Sequence, residues 1–277
     1  MRLIIADPTG LCFGVRRAIE QLESTLLSQR SVYSLGSPIH NPQEVTRLEK
    51  MGLLLVDGAD QVPLGGVVFI RAHGVGPVEL QVLQDRSALV VDGTCPFVRT
   101  AQQRAKTLSD EGYRVLILGD KNHPEVRGIL GYIEGDALVL SSPDEITPEM
   151  RFPRCGVLSQ TTQKEATLSR LVERLVSKTP ELKVYNTICK ATIERQESIS
   201  RLASQVDGIL VIGGRNSANT QKLVEIAEEA SVPTLWVEHA GELDRGWLQN
   251  KGSIGVAAGG STPDWLIKEI TEKLLTL

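Results

Sequence analysis

Twelve short apolar runs, most of them followed by a stretch with helical spacing, set the strongest limit on how this chain folds. They lie near 3–6, 32–35, 53–56, 67–70, 88–91, 115–118, 137–140, 156–158, 183–185, 209–212, 234–237 and 254–257. Amphipathic stretches such as 14–28, 98–111, 163–177, 191–204 and 217–230 stand between them; Leu168, Leu171, Val172 and Leu175 share one helical face. Strands alternating with such helices predict parallel βαβ units. Twelve strands are many for a single sheet, so several small α/β sheets are expected. No Pro- or Ser-rich linker separates them, which predicts closely packed domains.

Composition narrows the classes. The 277 residues suggest about two domains' worth of chain. With 41% apolar and 23% charged residues, the chain is globular rather than disordered. A net charge of −4 with 4% aromatics argues against a nucleic-acid surface. No apolar run approaches the ~18 residues that span a bilayer. Met1 to Ala6 leads straight into a strand pattern, without a charged-then-apolar signal segment. These features predict a soluble, cytoplasmic protein with no membrane partner.

Four cysteines are too few for a disulfide scaffold at this size. Cys12, Cys95 and Cys189 each follow a strand-like run and open a helix-like one. That rhythm suggests three comparable lobes, each offering one cysteine from a strand-to-helix turn. The lobes would span 13–95, 96–189, and 190–277 together with 1–12. A helix N-terminus favours the thiolate form that binds metal. Pro96 suits the first helical position, and Gly10 and Gly14 bracket Cys12 in what reads as a tight turn. Three thiolates suit an iron–sulfur cluster or a zinc ion; buried free cysteines acting as small hydrophobes are the alternative. Cys155 opens a strand with no helix directly after it, and it reads as structural. Three protein ligands leave one metal position open, as in a catalytic site.

Three of the four histidines, His40, His73 and His123, stand in loops after strands and ahead of helix starts, where parallel sheets bind ligands. His239 has no such company and reads as surface. In Asn122-His123-Pro124-Glu125, Asn122 suits an N-cap and Pro124 the first helical position. Glu125 there is either a favourable charge at the helix start or a proton donor. The loop from Gly213 through Ser217, Ala218, Asn219 and Thr220 opens a helix as an anion cradle, but matches neither common nucleotide loop. The turns at Ser261 and Thr161 are similar, and all three read equally as ordinary capped loops. The residues alone thus point to a metal or cluster enzyme with an open position and a small anionic substrate.

The segments GLCFGVRRAI, IHNPQEV, AHGV, DGTCPFV, NHPEVRG, SQTTQ, NTICKATIERQESI, GGRNSANT and AGGSTPDWL, in this order, closely resemble the 4-hydroxy-3-methylbut-2-enyl diphosphate reductase (LytB) family of the non-mevalonate isoprenoid pathway. The resemblance implies three α/β lobes in a pseudo-threefold trefoil around a [4Fe-4S] cluster, one per chain, held by Cys12, Cys95 and Cys189. It implies reductive removal of the substrate's hydroxyl, giving isopentenyl and dimethylallyl diphosphate. Glu125 and Thr161 match the proton-delivering pair. His40, His73, His123, Thr161, Ser217, Asn219 and Ser261 match the substrate-binding set, with Ala218 at a position where many relatives carry a second serine. Gly260 stands where alanine is common; neither departure is expected to touch the cluster. Reduced ferredoxin or flavodoxin is the implied electron donor. The rivals are a non-catalytic iron–sulfur electron carrier or redox sensor using all four cysteines, and a zinc-dependent hydrolase or lyase of small phosphates.

Overall fold

The computed structural model describes residues 1–277. The chain begins β1 (Arg2–Ile5), α1 (Phe13–Ser28), β2 (Val32–Leu35), α2 (Pro42–Lys50), β3 (Leu53–Val56), β4 (Gly66–Ile70), α3 (Pro77–Arg86) and β5 (Ser87–Asp92). It continues α4 (Pro96–Asp110), β6 (Arg114–Leu118), α5 (Pro124–Leu130), β7 (Ala137–Leu140), β8 (Cys155–Ser159), α6 (Glu165–Val176) and β9 (Leu182–Val184). It closes with α7 (Lys190–Ala203), β10 (Gly208–Ile212), α8 (Ala218–Glu229), β11 (Thr234–Val237), α9 (Arg245–Leu248), β12 (Ser253–Ala258) and α10 (Asp264–Thr276). All twelve expected strands form, each within two residues of its expected ends. Helices α2, α3, α4 and α5 each begin at a proline, whose fixed φ and missing N–H suit the first helical position.

The strands build three four-stranded sheets, and every pairing is parallel. Read from one edge, their orders are β5-β4-β2-β3, β9-β8-β6-β7 and β1-β12-β10-β11. These are one topology three times over. The third sheet takes its edge strand from the start of the chain, and each edge strand leads directly to Cys95, Cys189 or Cys12. The fold class expected from the sequence, three small α/β lobes, is therefore what the chain adopts.

Contacts divide the chain into two compact units. The first comprises Met1–Arg16, Ile39–Lys50 and Lys190–Leu277; it carries the sheet containing β1. The second comprises Arg17–Pro38 and Met51–Cys189, with the other two sheets.

The cores follow from strand alternation. In β10, Leu210 and Ile212 pack toward Leu266, Ile267 and Ile270 of α10, while Ile209 and Val211 pack toward Ile199 and Leu202 of α7 and Leu223 of α8. Successive strand side chains point to opposite faces, so a strand covered on both sides must be apolar throughout. In the second unit, Val115 and Ile117 of β6 join Ala101, Ala105 and Leu108 of α4 and Val126 and Ile129 of α5. Val68 and Ile70 of β4 pack with Leu83 of α3. Each fully buried Leu or Ile contributes about 1.5–3 kcal/mol. That rigid base fixes the carboxyl ends of the strands, where the candidate residues lie. No helix is long and apolar enough to cross a membrane.

Candidate active site

The three edge-strand cysteines are anchored alike. Each donates its backbone N–H to a carbonyl in the loop after the neighbouring strand. Cys12 bonds Gly260 O at 3.0 Å, Cys95 bonds Ala72 O at 3.0 Å, and Cys189 bonds Thr161 O at 2.9 Å. Each then opens a helix: α1, α4 and α7 start at the next residue, with Cys95 the N-cap of α4. All three are partly exposed, whereas Cys155 is buried. Burial pushes the Cys155 thiol up to about 11, as expected of a structural cysteine. At the Cys12 turn only Gly10 has positive φ, +74°; Gly14 lies inside α1 rather than bracketing the turn.

In the first unit, His40, Ser217, Asn219 and Ser261 lie together with the Cys12 turn. Ser217 caps α8, its Oγ accepting the N–H of Thr220 at 3.3 Å. Ser261 Oγ donates to His40 O at 3.1 Å and lies 3.3 Å from Ser217 Oγ. The backbone at His40 comes so near Gly214 that a Cβ there would stand 2.5 Å from His40 O. Asn219 is 9% exposed, and neither of its amide atoms has a hydrogen-bond partner. A buried amide left unsatisfied costs about 1–3 kcal/mol, which makes Asn219 a candidate ligand-binding side chain. Ala218 is the first residue of α8 and offers only its backbone N–H. Gly260 lies beside the Cys12 turn. A Cβ on it would stand 3.7 Å from Cys12 Sγ, so this position does border the cysteine.

In the second unit, His73 and His123 meet edge to face, ring centroids 5.3 Å apart. The N-cap of α5 is His123, not Asn122: its Nδ1 accepts the N–H of Glu125 at 3.1 Å. Burial above all, with the Arg71 charge in support and Asp120 opposing, holds the His123 pKa down to about 4. The ring is neutral and, since Nδ1 accepts, its proton sits on Nε2 as a donor.

Glu125 is 2% exposed. Its Oε1 accepts the Thr161 N–H at 2.6 Å and its Oε2 accepts the Thr161 hydroxyl at 2.9 Å. Burial pushes its carboxyl up to about 7, against the opposing pull of those two bonds. It therefore holds an exchangeable proton near neutrality. Thr161 is the junction: two donors grip Glu125, and its carbonyl anchors Cys189. His239 caps a short turn by accepting the Gly241 N–H at 3.1 Å and stays half-exposed, as expected.

A family model described as LytB protein matches residues 3–275. The chain belongs to the LytB family. The 4-hydroxy-3-methylbut-2-enyl diphosphate reductase of Geobacter sulfurreducens is 43% identical over 99% of this chain and 97% of its own. That of Aquifex aeolicus is 41% identical over 98% and 95%. A solved structure of this reductase, described as the terminal enzyme of the non-mevalonate pathway, is 40% identical with TM-score 0.73 and covers both chains fully. The Plasmodium falciparum reductase structure is 27% identical with TM-score 0.93, over 100% of this chain and 88% of that one. This LytB chain is thus an oxidoreductase of the diphosphate reductase family. Sequence reasoning passed over Arg71, a partly buried cation two residues before His73. Its signal was a lone cation directly after the apolar strand GVVFI.

Proposed function

We propose that this LytB chain removes the hydroxyl of 4-hydroxy-3-methylbut-2-enyl diphosphate as water, taking up two electrons and two protons, and releases isopentenyl and dimethylallyl diphosphate. It would be the last step of the non-mevalonate route to isoprenoid precursors. In this reading the lobes are 13–95, 96–189, and 190–277 with 1–12, so that each ends on one cysteine. Cys12, Cys95 and Cys189 hold a [4Fe-4S] cluster. The donor set suits it: three partly exposed thiols, each at a helix start with its backbone fixed by one N–H bond. When bound, the cluster supplies electrons and a Lewis-acidic iron.

The chain's own residues do the rest. Glu125 keeps a proton at neutral pH and releases it to the departing hydroxyl, with Thr161 fixing both carboxyl oxygens. His123 Nε2–H, His73, His40, Ser217, Asn219 and Ser261 donate to the diphosphate, and Ala218 offers its backbone N–H. The buried setting keeps water from the transferred proton. Reduced ferredoxin or flavodoxin supplies the electrons in the cytoplasm.

The observation that carries this reading is the junction at Thr161, which ties a buried protonated acid to a cysteine turn. The buried Cys155 disfavours a carrier ligated by all four cysteines. The test is anaerobic turnover of the hydroxylated diphosphate with a chemical reductant. Formation of both unsaturated diphosphates is expected; their absence from an iron-loaded preparation overturns the reading.

A further inference from the structure

The diphosphate-binding set named above is electrically neutral, although its ligand is strongly anionic. Arg71 is a partly buried cation whose charge acts on His123, a member of that set. It lies directly after β4 and two residues before His73, in a turn closed by the Gly74 N–H on Arg71 O at 2.9 Å. The next carbonyl, Ala72 O, anchors Cys95. The guanidinium lies over the backbone at Gly36, where φ is +65° and a Cβ would stand 2.9 Å from Nη1. Only glycine leaves that slot open. Within it, Arg71 Nε is buried without a hydrogen-bond partner. A buried guanidinium N–H left unpaired is costly, so the fold keeps Nε there at a penalty. Its charge reaches His123, Glu79 and Arg127 through space.

We propose that Arg71 is a charge-supplying, specificity-determining residue for the diphosphate, drawing the anion toward the neutral donors His73 and His123. The inference rests on the diphosphate reading above. It assigns affinity to a fixed charge rather than to a further direct contact. Arg71 thereby favours a diphosphate over a monophosphate or a free alcohol, because the attraction scales with ligand charge. Glu79 acts against it, since a carboxylate partly cancels the field of the guanidinium.

The probe is inorganic diphosphate, with its affinity for the purified protein measured at low and at high salt. Arg71→Gln is expected to bind about tenfold more weakly at low salt, and the deficit shrinks at about 0.5 M salt, where the field is screened. Arg71→Lys stays within about threefold of the parent. Glu79→Gln, an exposed change on α3 that leaves the core untouched, binds about twofold more tightly. If Arg71→Gln does not fold, the Lys and Glu79 variants carry the test. Unchanged affinity in Arg71→Gln or Glu79→Gln, equal losses in Gln and Lys, or a salt-independent deficit would each overturn the inference. If the unmodified protein does not bind diphosphate, the parent reading falls as well. Binding that ignores these charges removes only the role of Arg71.

Discussion

Replacing Glu125 by Gln tests the proton store directly. Gln fits the site: its carbonyl oxygen accepts the Thr161 N–H, and its amide donates to the Thr161 hydroxyl, which reverses. What changes is titration. Burial raises the carboxyl from 4.5 to about 7 in the folded chain, while the unfolded chain keeps the ordinary value. Below about pH 4.5 both states hold the proton, and Glu125 contributes its full stability. As pH rises toward 7, the unfolded chain releases that proton while the folded chain retains it. The contribution is therefore lost progressively and is gone above 7. At 1.36 kcal/mol for each tenfold change, the whole effect is about 3 kcal/mol, of which about 2–3 kcal/mol falls between pH 5 and pH 8.5. Glu125→Gln does not titrate. Its unfolding free energy relative to the parent should rise by that amount across the range, read from urea denaturation of both proteins under identical anaerobic conditions. In turnover, the parent rate should fall as pH passes about 7, because the donor must be protonated; the variant should bind substrate with little turnover. A parent-to-variant stability difference that stays flat from pH 5 to pH 8.5 would refute the buried-acid argument.

Other expectations follow from contact geometry. Cys155→Ser should keep its full iron content but lose about 1–3 kcal/mol, since a hydroxyl replaces a buried thiol; iron analysis and thermal melting check both. Gly214→Ala forces a Cβ to 2.5 Å from a backbone oxygen at His40. It should cost about 1–3 kcal/mol and raise the substrate KM. Gly260→Ala, whose Cβ meets its neighbours at 3.4 Å or more, should melt within about 0.5 kcal/mol of the parent. A shift in the absorption of the iron-loaded protein would register its methyl against Cys12 Sγ.

Much of this was legible because the same rule governs every strand: a parallel strand covered on both faces is a short apolar run. Thus ILVI in β10 and VLIL in β6 announced themselves. The cysteine turns were legible as well, since each cysteine stands between an apolar run and an amphipathic one. Details set by orientation were not. Asn122 has the better capping propensity, yet the helix begins at Pro124, so the N-cap is His123, whose Nδ1 accepts the Glu125 N–H at 3.1 Å. Gly260 and Cys12 are 248 residues apart in the chain, yet meet because β1 and β12 are sheet neighbours. The unsatisfied amide of Asn219 and the slot for Arg71 are properties of packing that no spacing of letters reveals.

The threefold repetition explains how one topology yields different chemistry. In each lobe, the loop after the strand neighbouring the cysteine strand gives a carbonyl to that cysteine: Ala72, Thr161 or Gly260. A candidate side chain sits at that residue or the next: His73 beside Ala72, Thr161 itself, Ser261 beside Gly260. One repeated turn thus fixes a thiol and, within one residue, an imidazole or a hydroxyl. Only the lobe of β6 to β9 adds a buried acid to this turn, because Glu125 at the start of α5 meets both donors of Thr161. The proposed proton donor therefore belongs to one lobe. The proposed ligand-binding groups are spread over all three. Moving the acid to either of the other lobes would leave it without that paired grip on both carboxyl oxygens, and so without a fixed place to hold the proton.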